Sequence, residues 1–114
     1  MTGPSITISP AQGTWVVRAG GAIIGESSDV LDLKEGEFPS VIYFPRQDIA
    51  MDFIDANTHK TTCPHKGEAS YFSIAGKSSV IENAAWSYET PVSTVKRIAG
   101  MLAFDINKVT VEKV

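Results

Sequence analysis

Only one cysteine, Cys63, occurs in the sequence, so no disulfide can form within the chain. The shortage also limits metal chemistry. Structural zinc in small β domains usually comes with paired Cys-x-x-Cys, and zinc asks for four ligands, or three plus water. His59, Cys63 and His65, at i, i+4 and i+6, supply three borderline ligands, and the spacing demands no fourth from Asp48 or Glu68. The expectation is therefore no metal and no cofactor. Excess positive charge is also missing. Ten Lys and Arg face thirteen Asp and Glu, a net charge of −3, which argues against a binder of nucleic-acid polymers. No apolar run is long enough to span a bilayer. The Met-Thr-Gly-Pro-Ser start lacks the basic flank and apolar stretch of a signal peptide, so a cytoplasmic protein is expected. There is no Gly-x-x-x-x-Gly-Lys-Ser/Thr phosphate loop and no strand–helix alternation of the Rossmann kind.

What is present reads as β structure. A chain of 114 residues is the size of one domain and can bury a core without staples. Residues 1–13, with Gly3, Pro4, Pro10 and Gly13, read as a loose N-terminal arm, leaving 14–114 as a single β-rich domain. Trp15–Arg18 and Ala22–Ile24 flank Gly20-Gly21 as a hairpin, because glycine supplies the positive φ of tight turns. Further strands are expected at Val30–Leu33, Val41–Phe44, Lys60–Thr62, Ala69–Ile74, Ser79–Ile81 and Ala84–Tyr88, with a turn at Ala75-Gly76-Lys77. A short amphipathic helix is expected within Arg46–Asn57, from Ile49, Phe53 and Ile54 at i, i+4, i+5. Ser93–Ala99 reads as one or two helical turns closed by Gly100. Met101–Ile106 and Val109–Glu112 read as a final hairpin. The sum is a mainly β, compact antiparallel single domain with one or two short helices.

Chemistry concentrates in Thr61–Phe72, where a turn on Pro64 and Gly67 would hold Cys63, His65 and Lys66 at the mouth of a hairpin. Cys63 is the candidate catalytic nucleophile, which needs a lowered pKa and a base within reach. The competing role is an inert thiol at a strand end, common for cysteine. Lys66 brings a point charge and Gly67 permits close backbone approach, together suited to an anion; a plain turn with a solvated lysine is the alternative. Trp86 and Tyr88 share one strand face. With Tyr43 they are the aromatics best placed to wall a pocket, although most of the chain's rings must serve the core. Glu26, Asp29, Asp32, Glu35 and Glu37 read as a solvated acidic edge, and Asp48 as a helix N-cap.

These pieces form a pattern. Tyr43-Phe44-Pro45-x-x-Asp48, Thr62-Cys63-Pro64-x-Lys66-Gly67-x-Ala69-x-Tyr71, Trp86-Ser87-Tyr88-x-x-Pro91 and Gly100-x-x-Ala103-Phe104 occur in that order. The chain resembles, from about Trp15 to Val111, a widespread bacterial and fungal family, the domain of unknown function 427, also labelled nucleotidyltransferase-like. The resemblance implies a β-rich domain of the twisted two-sheet kind called a β-tent, and no demonstrated activity. Two positions depart from the family's usual pattern: His65 stands where relatives commonly have tyrosine, and Phe72 where many have tryptophan.

Three functions compete. The first is a small-molecule binding module with Tyr43, Cys63, Lys66, Gly67, Trp86 and Tyr88 around an anionic or heterocyclic ligand. The second is an enzyme, nucleotidyltransferase-like or dependent on Cys63. The third is a structural or interaction domain without a pocket. Nucleotidyl transfer normally uses Mg²⁺ held by carboxylates. No paired Asp-x-Asp at a strand end is present, which favours binding over transfer.

Overall fold

A computed structural model of the chain describes residues 5–76 and 79–114. The domain is mainly β, with antiparallel pairing throughout the described ladders. Strands β1 (Ile6–Pro10), β4 (Leu31–Glu35) and β5 (Val41–Tyr43) form one sheet in the order β1-β4-β5. A second, β10-β2-β3, joins β10 (Thr110–Lys113) to the hairpin of β2 (Trp15–Ala19) and β3 (Ala22–Ser27). The third runs β6-β7-β8-β9, from β6 (Ile54–Cys63), β7 (Gly67–Ala75), β8 (Val80–Tyr88) and β9 (Ala103–Phe104). The first and third sheets meet through a bridge between Phe44 and Leu102, whose N–H groups each donate to the other's carbonyl at 2.8 and 2.9 Å.

The period of two along β8 divides the core. Ala85 joins Val17, Ile24, Phe44, Phe72 and Phe104 in one buried cluster. Tyr88 joins Leu33, Tyr43, Ala69, Val95, Ile98 and Ala103 in another, with Trp86 and Tyr71 packed against it. The third sheet thus has apolar groups on both faces, and each face is covered by residues of a different sheet.

Several expectations need correction. The arm expected over 1–13 is strand β1 from Ile6 to Pro10, paired with β4 from Ile6↔Glu35 to Pro10↔Leu31. Alternating Ile6 and Ile8 cover the second cluster, and that burial outweighs the local proline and glycine signals. Residues 1–4 of the arm, and Lys77 of the expected Ala75-Gly76-Lys77 turn, lie outside the described residues. The helix expected within 46–57 is two 3-10 turns, Arg46–Asp48 and Met51–Phe53, followed directly by β6. Between them Ile49 bridges Gly25, and Ala50 N–H donates to Ile24 at 2.8 Å, so tertiary pairing draws the segment out. A helix that short has little intrinsic stability to resist this.

Asp48 caps no helix. The turn starts after Pro45 without a side-chain cap, and the Asp48 carboxylate accepts from the Ser27 hydroxyl at 2.6 Å. The last two strands are not a hairpin: Phe104 pairs with Ala85, whereas Val111 pairs with Val17. The chain changes sheets at Asp105, whose carbonyl accepts from Lys108 and Val109.

The strands expected at Ser79–Ile81 and Ala84–Tyr88 are one strand interrupted at Asn83, which has φ of 52°. Asparagine tolerates that left-handed geometry better than most residues. The Asn57 amide donates to Ser73 Oγ at 3.1 Å and to Asn83 Oδ1 at 2.7 Å, tying the irregularity in β8 to the one in β6.

Gly25 makes the close approach of β3 to Ile49 possible. A Cβ there would collide with the end of Ile49, lie 3.0 Å from Val17 Cγ1 and lie 3.2 Å from the Asp48 carbonyl. Gly25→Ala is expected to cost about 1–3 kcal/mol of stability through overpacking. Equilibrium denaturation should show a lower midpoint at an unchanged slope; an unchanged midpoint would mean that the contact relaxes freely.

Candidate functional site

The backbone of the Cys63–Gly67 turn fixes where its side chains lie. The Lys66 N–H donates to the Cys63 carbonyl at 3.1 Å, closing the turn between β6 and β7. The Lys66 carbonyl then accepts from Val92 N–H at 2.9 Å, docking the hairpin on the segment after β8. Gly67, at φ 118°, lies against that segment, and a Cβ would come within 3.4 Å of Pro91 Cα. The close approach that Gly67 permits is therefore to the protein's own backbone. Cys63 is half-buried and packs against the second core cluster. Neither Cys63 nor Gly67 lines the cavity described next.

The Lys66 side chain reaches past Cys63 to the end of β4. Its Nζ lies 2.5 Å from Glu35 Oε1, with the two side chains 12% and 15% exposed. Beside this pair is a cavity of about 210 Å³. Tyr43, Tyr71, Trp86 and Tyr88 wall it, and Phe38 and Pro39 form part of its rim. Phe38 is 65% exposed.

Each ring has a structural reason for its position. Trp86 and Tyr71 are cross-strand partners with ring centroids 6.3 Å apart at 40°. Tyr88 follows two residues along the same face. Tyr43 arrives on β5, opposite Leu31, and its hydroxyl accepts from Trp86 Nε1 at 3.4 Å. Of the expected site residues, Tyr43, Lys66, Trp86 and Tyr88 thus come together.

Glu35, Tyr71 and Phe38 belong to the site without having been singled out for it. Glu35 read as part of a solvated acidic edge, and that reading is corrected: Glu26, Asp29 and Glu37 are exposed, whereas Glu35 is held by Lys66 and Asp32 is half-buried. The available signal was alternation. Leu31, Leu33 and Glu35 share one strand face, so a carboxylate occupies the next position of an apolar stripe. The histidines sit apart. His59 is exposed and stacks edge-on against Tyr71 at 4.6 Å, while His65 is half-buried in the turn. Among the described residues no group of three His, Cys, Asp or Glu side chains could hold a metal ion. No helix among them is long and apolar enough to cross a membrane.

Burial governs the electrostatics. It pushes the Tyr43 phenol up to about 12, against smaller downward effects of the Trp86 hydrogen bond and Lys66. Burial also raises Tyr88, with Cys63 the next contributor. For Lys66 burial works downward, but the hydrogen bond from its ammonium to Glu35, helped by Cys63, outweighs it and the pKa is raised.

The family model for a domain of unknown function, DUF427, matches residues 7–114. The chain belongs to that family. The match takes in β1 almost entirely, in keeping with its place in the sheet rather than in an arm. No curated protein matches the chain.

Two predictions follow from the buried groups. Tyrosine and lysine pKa values raised on folding contribute stability that is complete below their unfolded values, about 10 to 10.4, and lost as pH rises through the folded values. Stability should therefore fall steeply above about pH 10, and Tyr43→Phe should reduce that fall by about 2–3 kcal/mol, two pH units at ~1.36 kcal/mol each. Denaturant midpoints measured across the alkaline range check this; an equal fall in the variant refutes it.

Glu35→Leu, which strands the Lys66 ammonium, should cost about 2–4 kcal/mol, while Glu35→Leu with Lys66→Met should recover most of the loss. A double variant as unstable as the single one would show that the pair's charge is not the cause.

Proposed function

We propose that this domain is a cytoplasmic small-molecule binding module, and that its ligand is a neutral heterocycle held in the Tyr43–Tyr71–Trp86–Tyr88 cavity. The single observation carrying this reading is the convergence of four aromatic rings and one ion pair on one partly open cavity. At about 210 Å³ the space is smaller than the roughly 300–1,000 Å³ typical for drug-sized ligands, which suits a compact ring system. Flat aromatic walls favour a flat apolar body.

The ion pair selects among ring-bearing ligands. Lys66 alone would favour an anion, but Glu35 neutralises it at 2.5 Å. An anion entering here would have to displace a carboxylate that is itself largely removed from water. A neutral ring with adjacent carbonyl and N–H groups meets both partners as they stand, the carbonyl accepting from Lys66 and the N–H donating to Glu35. That supports the heterocyclic over the anionic alternative.

The nucleotidyltransferase-like reading gains little support from this site. Among the described residues its one lining carboxylate, Glu35, is engaged by Lys66, and no group of three His, Cys, Asp or Glu side chains could hold a metal ion. A Cys63-dependent reaction is likewise disfavoured, because Cys63 does not line the cavity.

A panel of neutral and anionic heterocycles, screened by melting temperature, tests the reading. A neutral lactam- or amide-containing ring should raise the melting temperature in a dose-dependent way. Lys66→Met with Glu35→Leu, which keeps the volume apolar, should abolish that shift while leaving the fold intact. Trp86→Phe should weaken it. A shift produced only by anions, or one that survives the double variant, would overturn the proposal.

A further inference from the structure

The cavity has a neighbour. A groove of about 620 Å³ adjoins it, and the two share Phe38, Pro39, Val41 and Trp86. Its floor is apolar, built from Trp15, Ile42 and Phe104. The strand β4 serves both spaces in alternation: Leu33 and Glu35 face the cavity, and Asp32 faces the groove. Asp32 pairs with Ile42 across the ladder, and its Oδ1 is buried without a hydrogen-bond partner among the described residues. A buried acceptor left unpaired costs about 1–3 kcal/mol, more when charged, so a turn of the Asp32 carboxylate that brings this oxygen to a donor in the groove is rewarded.

The charge of the groove is one-sided. Among the described residues its polar lining consists of Asp32, Asp105, Ser40 and Asn107, with no lysine or arginine. Asp105 is partly committed, since its Oδ1 accepts from Asn107 N–H at 2.9 Å; Asp32 Oδ1 is not. A phosphate in this groove would meet carboxylates and no cation. Hydroxyl groups would meet acceptors.

We infer that cavity and groove form one two-part site for a heterocycle joined to a hydroxylated, phosphate-free substituent, in the manner of a nucleoside: the ring lies among Tyr43, Tyr71, Trp86 and Tyr88, and the substituent passes under Phe38 and Pro39 to donate to Asp32. This rests on the heterocycle-binding reading above and extends it. It also states what the site rejects, because the groove that accepts a sugar repels its phosphate ester.

The probes are the free bases adenine, guanine, cytosine and uracil, their ribonucleosides, and the corresponding 5′-monophosphates, each titrated calorimetrically against the intact protein. For at least one base, the ribonucleoside should bind about tenfold or more tighter than the base, and the monophosphate about tenfold or more weaker than the ribonucleoside. Asp32→Asn should relieve the penalty on the monophosphate by about fivefold or more while leaving affinity for the free base unchanged, which also reports an intact fold. If a base binds but its ribonucleoside is no tighter, or its monophosphate binds equally well, the two-part site is refuted and the heterocycle cavity stands. If Asp32→Asn leaves the discrimination unaltered, the carboxylate is not its source and the inference fails. If no base and no ribonucleoside binds, the nucleoside-like ligand is excluded, and the wider heterocycle panel decides the cavity separately.

Discussion

The site depends on the pair of backbone hydrogen bonds between Phe44 and Leu102, 2.8 and 2.9 Å long. They are the point at which the β1-β4-β5 sheet is joined to the β6–β9 sheet. Tyr43 precedes Phe44, and Trp86 pairs with Ala103, the residue after Leu102. Fixing Phe44 against Leu102 therefore brings the Tyr43 hydroxyl within 3.4 Å of Trp86 Nε1. The same junction sets the end of β4 opposite the β6–β7 turn, which is where Glu35 meets Lys66. Because side chains alternate along a strand, a slip of one residue at this junction would turn Tyr43 away and put Ile42 in its place.

That dependence explains what the sequence made legible. Features written within one segment could be read: the Trp15–Ile24 hairpin, the Pro64–Gly67 turn, and the shared face of Trp86 and Tyr88. Four residues that line the cavity, Tyr43, Lys66, Trp86 and Tyr88, were legible because each stands at or near a strand end or turn. Glu35 was hidden because its environment comes from Lys66, thirty-one residues away. An acidic run near a turn looks solvated until its partner across the sheet is known. Cys63 and Gly67 were not placed by the sequence in the same way: Cys63 packs on the second core cluster beside Lys66, and Gly67 lies against the chain at Pro91.

The misread elements share one cause. Ile49, Phe53 and Ile54 have helical spacing, yet Ile49 and Ile54 are buried while Phe53 is 45% exposed, so they do not form one face. Gly25 offers Ile49 a backbone partner, and a short helix cannot compete with sheet pairing of that kind. The segment from Met101 to Glu112 likewise has the residues of a hairpin, but each arm has a partner in a different sheet. In both places a non-local ladder overrides a local pattern. Strand formation depends on cross-strand packing and burial more than on a segment's own preference.

Stability alone does not account for the Lys66–Glu35 pair. Removing two charges from water is costly, and a well-packed apolar pair would often stabilise such a position as much or more. What the pair adds is direction: a donor and an acceptor held side by side at the end of an aromatic cavity. Apolar walls cannot discriminate strongly between rings of similar size. Partners that would be left poorly satisfied by the wrong ring can, because a buried group without its hydrogen bond costs more than the same group gains when paired. The pair is also neutral as a whole. Were Glu35 absent, the Lys66 charge would stand unbalanced beside the cavity; with Glu35 in place, the pair presents hydrogen-bonding groups to the cavity and no net charge.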